Sequence, residues 1–224
     1  MTPPTATWRD RAMFVIRKFV IGYRISKEPH FDREATAHFE NAVARSTNYL
    51  EYGSGGSTIR AWQSARTVVS VDNDRGYVRA VSRALTRSAR RPQLSQLIHV
   101  HTGITWQYGI PVFKAPTPRR LQRWQRYATA PWEFLRAHAI VPDTILVDGR
   151  FRVACILESL LNLDDGSACV ILVDDYLDRP EYSVVEAFAD RVATAGRMVT
   201  LRKKPDFDRQ ECLRLLPHFQ REWR

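Results

Sequence analysis

Long apolar runs are missing from this sequence. No stretch approaches the roughly 18 consecutive apolar residues that cross a bilayer, and the apolar block over 12–22 is interrupted by Arg17 and Lys18. A secretory leader needs a basic start, an unbroken apolar block and a small-residue cleavage site. None is read here, and the expected location is the cytoplasm. Segment 13–24 reads as a packed N-terminal helix, with a surface-seeking amphipathic helix as the alternative. Cysteine is scarce: Cys155, Cys169 and Cys212 are an odd set without zinc-type spacing, which excludes a disulfide scaffold and points to buried thiols in a reducing compartment. Internal repeats and low-complexity linkers are absent too. Lysine is rare, so the basic charge is carried almost wholly by arginine.

What remains is ordinary globular material. The 224 residues are 44% hydrophobic and 26% charged, enough to bury a core without staples. The net charge of +10 suits anionic partners. Basic residues are scattered along the chain, with one denser group at Arg119, Arg120, Arg123 and Arg126. That distribution favours a solvated surface and a small-molecule substrate, an anionic one among the options, over nucleic acid.

Short apolar runs alternate with helix-period segments, the pattern of a parallel sheet with crossover helices. Strands are expected over 48–52, 67–72, 96–101, 144–148, 168–174 and 197–201. Helical stripes are Phe31, Ala35, Phe39, Ala42 and Val43, then Tyr77, Val78, Val81 and Leu85, then Val153, Ile156, Leu157, Leu160 and Leu161, and finally Tyr182, Val185, Phe188 and Val192. Residues 1–46 read as a helical lead-in to a domain over 47–224. Segment 103–142 is long for a connection and holds Trp106, Tyr108, Trp124, Tyr127 and Trp132 beside the arginine group. It is expected to be either a lid over the site or a structural insertion with a helix at 117–138. The fold class is α/β: a Rossmann-like, doubly wound, mainly parallel sheet with helices on both faces.

The most informative stretch runs Tyr49-Leu50-Glu51-Tyr52-Gly53-Ser54-Gly55-Gly56-Ser57-Thr58. A strand enters a glycine turn and a helix follows. Glycine lets backbone approach a ligand, and the helix start offers free N–H groups. The next strand ends at Asp72, where a carboxylate can accept from both hydroxyls of a ribose. Turn and acid together point to an adenosine-containing ligand. The dinucleotide fingerprint wants a third glycine where Thr58 stands, a P-loop wants a lysine, and neither Ser54 nor Ser57 has the flanking glycines of a nucleophile elbow.

With Glu51 two residues before Gly53, the chain resembles the class I S-adenosylmethionine-dependent methyltransferases from about residue 31 to 201. The resemblance implies that Glu51, Gly53, Ser54 and Gly55 line the methionine part of S-adenosylmethionine and that Asp72 binds its ribose. Asp74 reads as a helix cap. Two further strand tips carry acids, Asp148-Gly149-Arg150 and Asp174-Asp175. In this they look like the catechol-type O-methyltransferases, whose acids after the fourth and fifth strands hold a divalent metal. That likeness implies Mg²⁺ on Asp148, Asp174 and Asp175, with Asp175 standing where those enzymes have asparagine. Asp148 and Arg150 are the candidate catalytic pair, Arg150 and Arg152 either gripping an anionic acceptor or neutralising the aspartates. His99 or His101 is a candidate base.

The implied function is methyl transfer to a small molecule, at oxygen. The alternatives are a binding module that keeps the pocket without turnover, and an NAD-dependent oxidoreductase. The usual last antiparallel strand of the family is not evident, and 206–223 reads as a helix.

Overall fold

The structure is a computed structural model that describes residues 22–224. The segment 13–24 therefore lies almost wholly outside the described residues. Seven strands form one sheet in the order β3-β2-β1-β4-β5-β7-β6. They are β1 (Asn48–Tyr52), β2 (Thr67–Asp72), β3 (Leu94–His99), β4 (Thr144–Val147), β5 (Val170–Val173), β6 (Ala189–Ala195) and β7 (Met198–Lys203). The first five run parallel, and β7 lies antiparallel between β5 and β6. The order in which successive strands are added reverses between β1 and β4, the topological switch point of the sheet, where open α/β sheets bind ligands.

The helices are α1 (Arg33–Arg45), α2 (Gly56–Ser64), α3 (Arg75–Leu85), α4 (Pro118–Ala137), α5 (Arg152–Asn162) and α6 (Arg209–Phe219). Side chains alternate between the faces of each strand. Leu50, Val69, Ile145 and Ile171 face the core shared with α4, α5 and α6. Tyr49, Val68, Leu146 and Leu172 face the opposite way, against Phe39 of α1 and Ala61 of α2. Strands buried on both faces read as continuous apolar runs, which is why β1 and β2 fall at the residues expected.

Three expectations change. The antiparallel strand of the family is present: β7 occupies the run expected at 197–201, joined to β6 by a hairpin and paired with β5 through Leu172 and Thr200. The stripe at 182–192 is not a helix. A 3-10 segment over Pro180–Ala187 buries Tyr182 and Val185, and the chain then enters β6 with Val192 exposed. At a sheet edge a strand packs on few neighbours, so Asp190 and Arg191 are tolerated there and the apolar signal is weak. The helix expected at 117–138 is α4, but its aromatic face is core: Trp124, Tyr127 and Trp132 are buried against the sheet. Within 1–46 the described helix is α1, which starts at the Asp32 cap and packs on the sheet.

Candidate active site

The glycine turn is held from below. Glu51 is fully buried, and its carboxylate accepts from Tyr49 Oη at 2.9 Å, Ser70 Oγ at 2.7 Å and the Thr58 hydroxyl. Burial pushes its pKa up, and the hydroxyl donors pull it back. Glu51 thus does not line the cavity, contrary to the expectation for it. It sits behind the turn and ties β1, β2 and α2 together, as a buried carboxylate must when its lone pairs need partners. Gly53 adopts φ +101, and its N–H donates to the Val71 carbonyl at 2.8 Å. A Cβ there would meet Gly149 N at 2.8 Å, so the turn lies directly on the loop after β4. At Gly55 the nearest atom to a Cβ would be Tyr77 Oη at 3.7 Å, on the open side.

Asp72 closes β2. Its carboxylate accepts from Ser54 N at 3.1 Å and Asp74 N at 2.7 Å, and burial raises its pKa to about 7. Asp74 caps α3 through Gly76 N and Tyr77 N, as expected, and accepts from Tyr23 Oη at 3.2 Å. His99 and His101 at the β3 tip do not line the cavity.

Above the carboxyl ends of these strands lies a cavity of about 860 Å³, within the range of pockets that enclose small molecules. Gly53, Ser54, Gly55, Asp72, Asp148, Arg150, Asp174 and Asp175 all line it. Tyr108, from the loop after β3, and Tyr127, from α4, also line it, and both belong to the segment 103–142 with its lid alternative. Sequence reasoning missed the other walls: Tyr23, Pro29, His30 and Phe31 from the segment before α1, and Arg179 and Arg197 from the loops flanking β6. The Glu28–Pro29 backbone passes so near Gly56 that a Cβ there would collide with it. Asn73 ties down the 107–109 turn by donating to the Gly109 carbonyl at 2.8 Å. No periodic pattern marks these loops, and only burial by the ligand side of the sheet brings them together.

The acids after β4 and β5 converge: ligand atoms of Asp148, Asp174 and Asp175 lie within 4.8 Å of one another. Arginines take up their charge. Arg152, almost fully buried, reaches Asp148 at 2.9 Å and Asp175 at 3.2 Å, and donates to the carbonyls of Gly149 and Asp174. Arg197 reaches Asp174 at 3.2 Å and Asp175 at 3.0 Å. A cation among the three acids would meet two guanidinium groups already on their oxygens, so this donor set does not fit Mg²⁺. Burial raises the Asp148 pKa to about 7, with the neighbouring aspartates adding to the rise and Arg152 opposing it. Phe151 and Asp175 both sit at positive φ, 55° and 57°, in the loops that hold these groups.

No protein-family model matches the chain, and no curated protein matches it. Among solved structures it is similar to a methyltransferase-like protein from Silicibacter pomeroyi, with a TM-score of 0.74 and 28% identity over 88% of this chain and 100% of that one. A precorrin-6y C5,15-methyltransferase from Geobacter metallireducens superposes at 0.46 with 11% identity, over 84% of this chain and 96% of that one, too low to carry an argument. In its sheet and in its likeness to the first of these, the chain has the methyltransferase-like fold of the class I type.

Proposed function

We propose that the cavity is the active site of an S-adenosylmethionine-dependent methyltransferase that acts on a small-molecule acceptor at oxygen. One observation carries the reading: the turn at Gly53–Gly55 and the carboxylate of Asp72, neighbours through the Ser54 N–H, line the same cavity as a second acidic group at Asp148.

Strand spacing sets the scale. β2 and β5 are three strands apart in the sheet, or roughly 14 Å at ~4.8 Å per step. Asp72 at one end would hold the cofactor's ribose hydroxyls, and the open side of Gly55 would admit its amino-acid part. When bound, S-adenosylmethionine supplies an electrophilic methyl group on a sulfonium. The chain's own work is to align the acceptor and to remove its proton. Asp148 is suited to the second task. It faces the cavity with a pKa of about 7, near the value a base needs at neutral pH. Arg152 fixes its Oδ1, so the carboxylate is oriented before the acceptor arrives. The acceptor hydroxyl gives its proton to Asp148 as its oxygen becomes the nucleophile. The loops at 23–31 and 107–110 would cover the bound ligands.

Calorimetric titration with S-adenosylmethionine, S-adenosylhomocysteine and NAD⁺, using Asp72→Ala as the control, tests the reading. Binding of both sulfur compounds that the control abolishes is the expected result. Binding of NAD⁺ alone, or no heat with either sulfur compound, overturns it. Binding without turnover across an acceptor panel would identify a module that keeps the pocket but lacks the reaction.

A further inference from the structure

We infer that the acceptor carries an oxyanion, a carboxylate or a phosphate, seated against the guanidinium of Arg150 in the half of the cavity beyond β4. The inference rests on the active-site reading above and adds the acceptor's chemical class.

Among the described residues four arginines line the cavity: Arg150, Arg152, Arg179 and Arg197. Three are spoken for. Arg152 and Arg197 share the three aspartates at 2.9–3.2 Å, and Arg179 approaches Asp175 at 3.9 Å. Arg150 makes no ion pair among the described residues, and its Nε is buried with no hydrogen-bond partner. Burial and the charge of Arg152 both act against its protonated form, yet a guanidinium does not give up its proton in a protein. Arg150 as a residue is half-buried and opens on the cavity, and a buried N–H of a charged group without a partner is rare in folded proteins and calls for an ion or ligand.

The surroundings say which kind. Arg150 follows Gly149 directly, beside the turn at Gly53 and the phenol of Tyr127. Behind the cavity wall, the Tyr182 hydroxyl is close enough to feel the charge of Arg150 and is buried with no hydrogen-bond partner among the described residues. The three aspartates are matched to other arginines, and the attraction of Asp148 reaches Arg150 without an ion pair, so none of them supplies its Nε with an acceptor. A ligand that brings its own negative charge does. A guanidinium forks onto carboxylate or phosphate oxygens with two parallel bonds, and such a grip would fix the acceptor's reacting hydroxyl relative to Asp148. Neutralised acids next to one spare cation make an anion site, where a metal-binding acid cluster would have made the opposite.

The test uses benzoate and inorganic phosphate as probes, with benzyl alcohol as the uncharged counterpart of benzoate. Each is titrated at constant ionic strength and followed by ligand-observed NMR. The wild type and Arg150→Gln are compared, each with and without saturating S-adenosylhomocysteine. Expected is binding of at least one anion at least about tenfold tighter than of benzyl alcohol, lost by about tenfold in Arg150→Gln, with S-adenosylhomocysteine binding kept. Arg150→Lys, which keeps the charge without the fork, should fall between. Equal binding of benzoate and benzyl alcohol to the wild type, or no binding of either anion, overturns the proposal without recourse to any variant. Loss of S-adenosylhomocysteine binding in Arg150→Gln also overturns it, because Arg150 would then serve the cofactor's own carboxylate. If the wild type fails to bind S-adenosylhomocysteine, the methyltransferase reading fails, and the titrations without it still decide the anion site.

Discussion

Replacing Arg152 by methionine removes the cation on which two strand-tip acids lean. The side chain is 3% exposed and meets Asp148 at 2.9 Å and Asp175 at 3.2 Å. Methionine keeps much of the stem, so the change is chiefly one of charge. Taking one partner from a buried ion pair costs about 3–5 kcal/mol. Asp148 and Asp175 keep 30% and 24% of their side chains exposed, so water screens part of the loss and about 3 kcal/mol is expected where both acids are ionised. For a chain of this length that lowers Tm by roughly 6–12 °C.

The pH dependence separates charge from packing. The folded pKa of Asp148 is raised to about 7 from 3.8. Its contribution to stability is therefore full below the unfolded value and is lost as pH rises through about 7. Arg152 pulls that pKa down, so in the variant it moves higher still. Near pH 8.5 the variant must either keep an uncompensated carboxylate or take up a proton, and the full cost shows. Near pH 5.5 Asp148 is already neutral in both proteins, so the wild type has also lost this attraction. The stability gap should shrink to about 1–2 kcal/mol, which the Asp175 pair and the carbonyl hydrogen bonds retain. Urea unfolding of both proteins at the two pH values measures it. An equal gap, or one that widens toward low pH, would refute a stabilising Asp148 pair and leave Arg152 with its Asp175 pair and its bonds to Gly149 and Asp174.

Gly53→Ala forces a Cβ to within 2.8 Å of Gly149 N at φ +101. It should cost about 1–3 kcal/mol and abolish S-adenosylhomocysteine binding, read by urea unfolding and calorimetry. With Asp72 at about 7 and the ionised form taken as the acceptor of hydroxyl donors, affinity for S-adenosylhomocysteine should weaken as pH falls below 7, approaching tenfold per unit. Asp72→Asn should bind more weakly and lose that dependence, and a flat wild-type profile would count against Asp72 as the contact. Because guanidinium groups hold the three aspartates, millimolar Mg²⁺ or EDTA should leave Tm unchanged. A metal that bound the folded state alone would raise Tm with its concentration.

The parallel core was legible because its strands are apolar on both faces: β1 and β2 could be bounded to the residue from 48–52 and 67–72. Strand direction is not encoded in such a pattern. The run at 197–201 was visible, yet its antiparallel placement depends on the β6–β7 hairpin, and β6 has an edge strand's composition. Tyr182, Val185 and Phe188 recur every three residues, which suits the 3-10 segment that forms as well as the helix that does not. Glu51 shows the same limit at the site. Its position beside the glycines was readable, but whether it faces the ligand or the loop depends on Tyr49, Thr58 and Ser70 closing around it.

The arginines show why charge read along a chain differs from charge read in space. Arg150 and Arg152 stand beside a strand-tip aspartate in the sequence and could be read there as site residues, but Arg179 and Arg197 carry no such mark and read as scattered surface charge, while Arg119, Arg120, Arg123 and Arg126 form the densest group. Folding reverses their weight. The dense group falls on the first half of α4, with Arg119 and Arg126 exposed and Arg120 and Arg123 half-buried, and none of the four lines the cavity. The dispersed four meet at the tips of β4, β5 and β7 because adjacent strands in the sheet come from distant parts of the sequence. Set against three aspartates, they leave one end of the cavity with a surplus positive charge, while Asp72 and Asp74 give the other end a negative one. In a cleft such an asymmetry orients a ligand before contact is made. An acceptor with a negative tail would enter with that tail toward Arg150, which turns its other end toward Asp148 and the glycine turn.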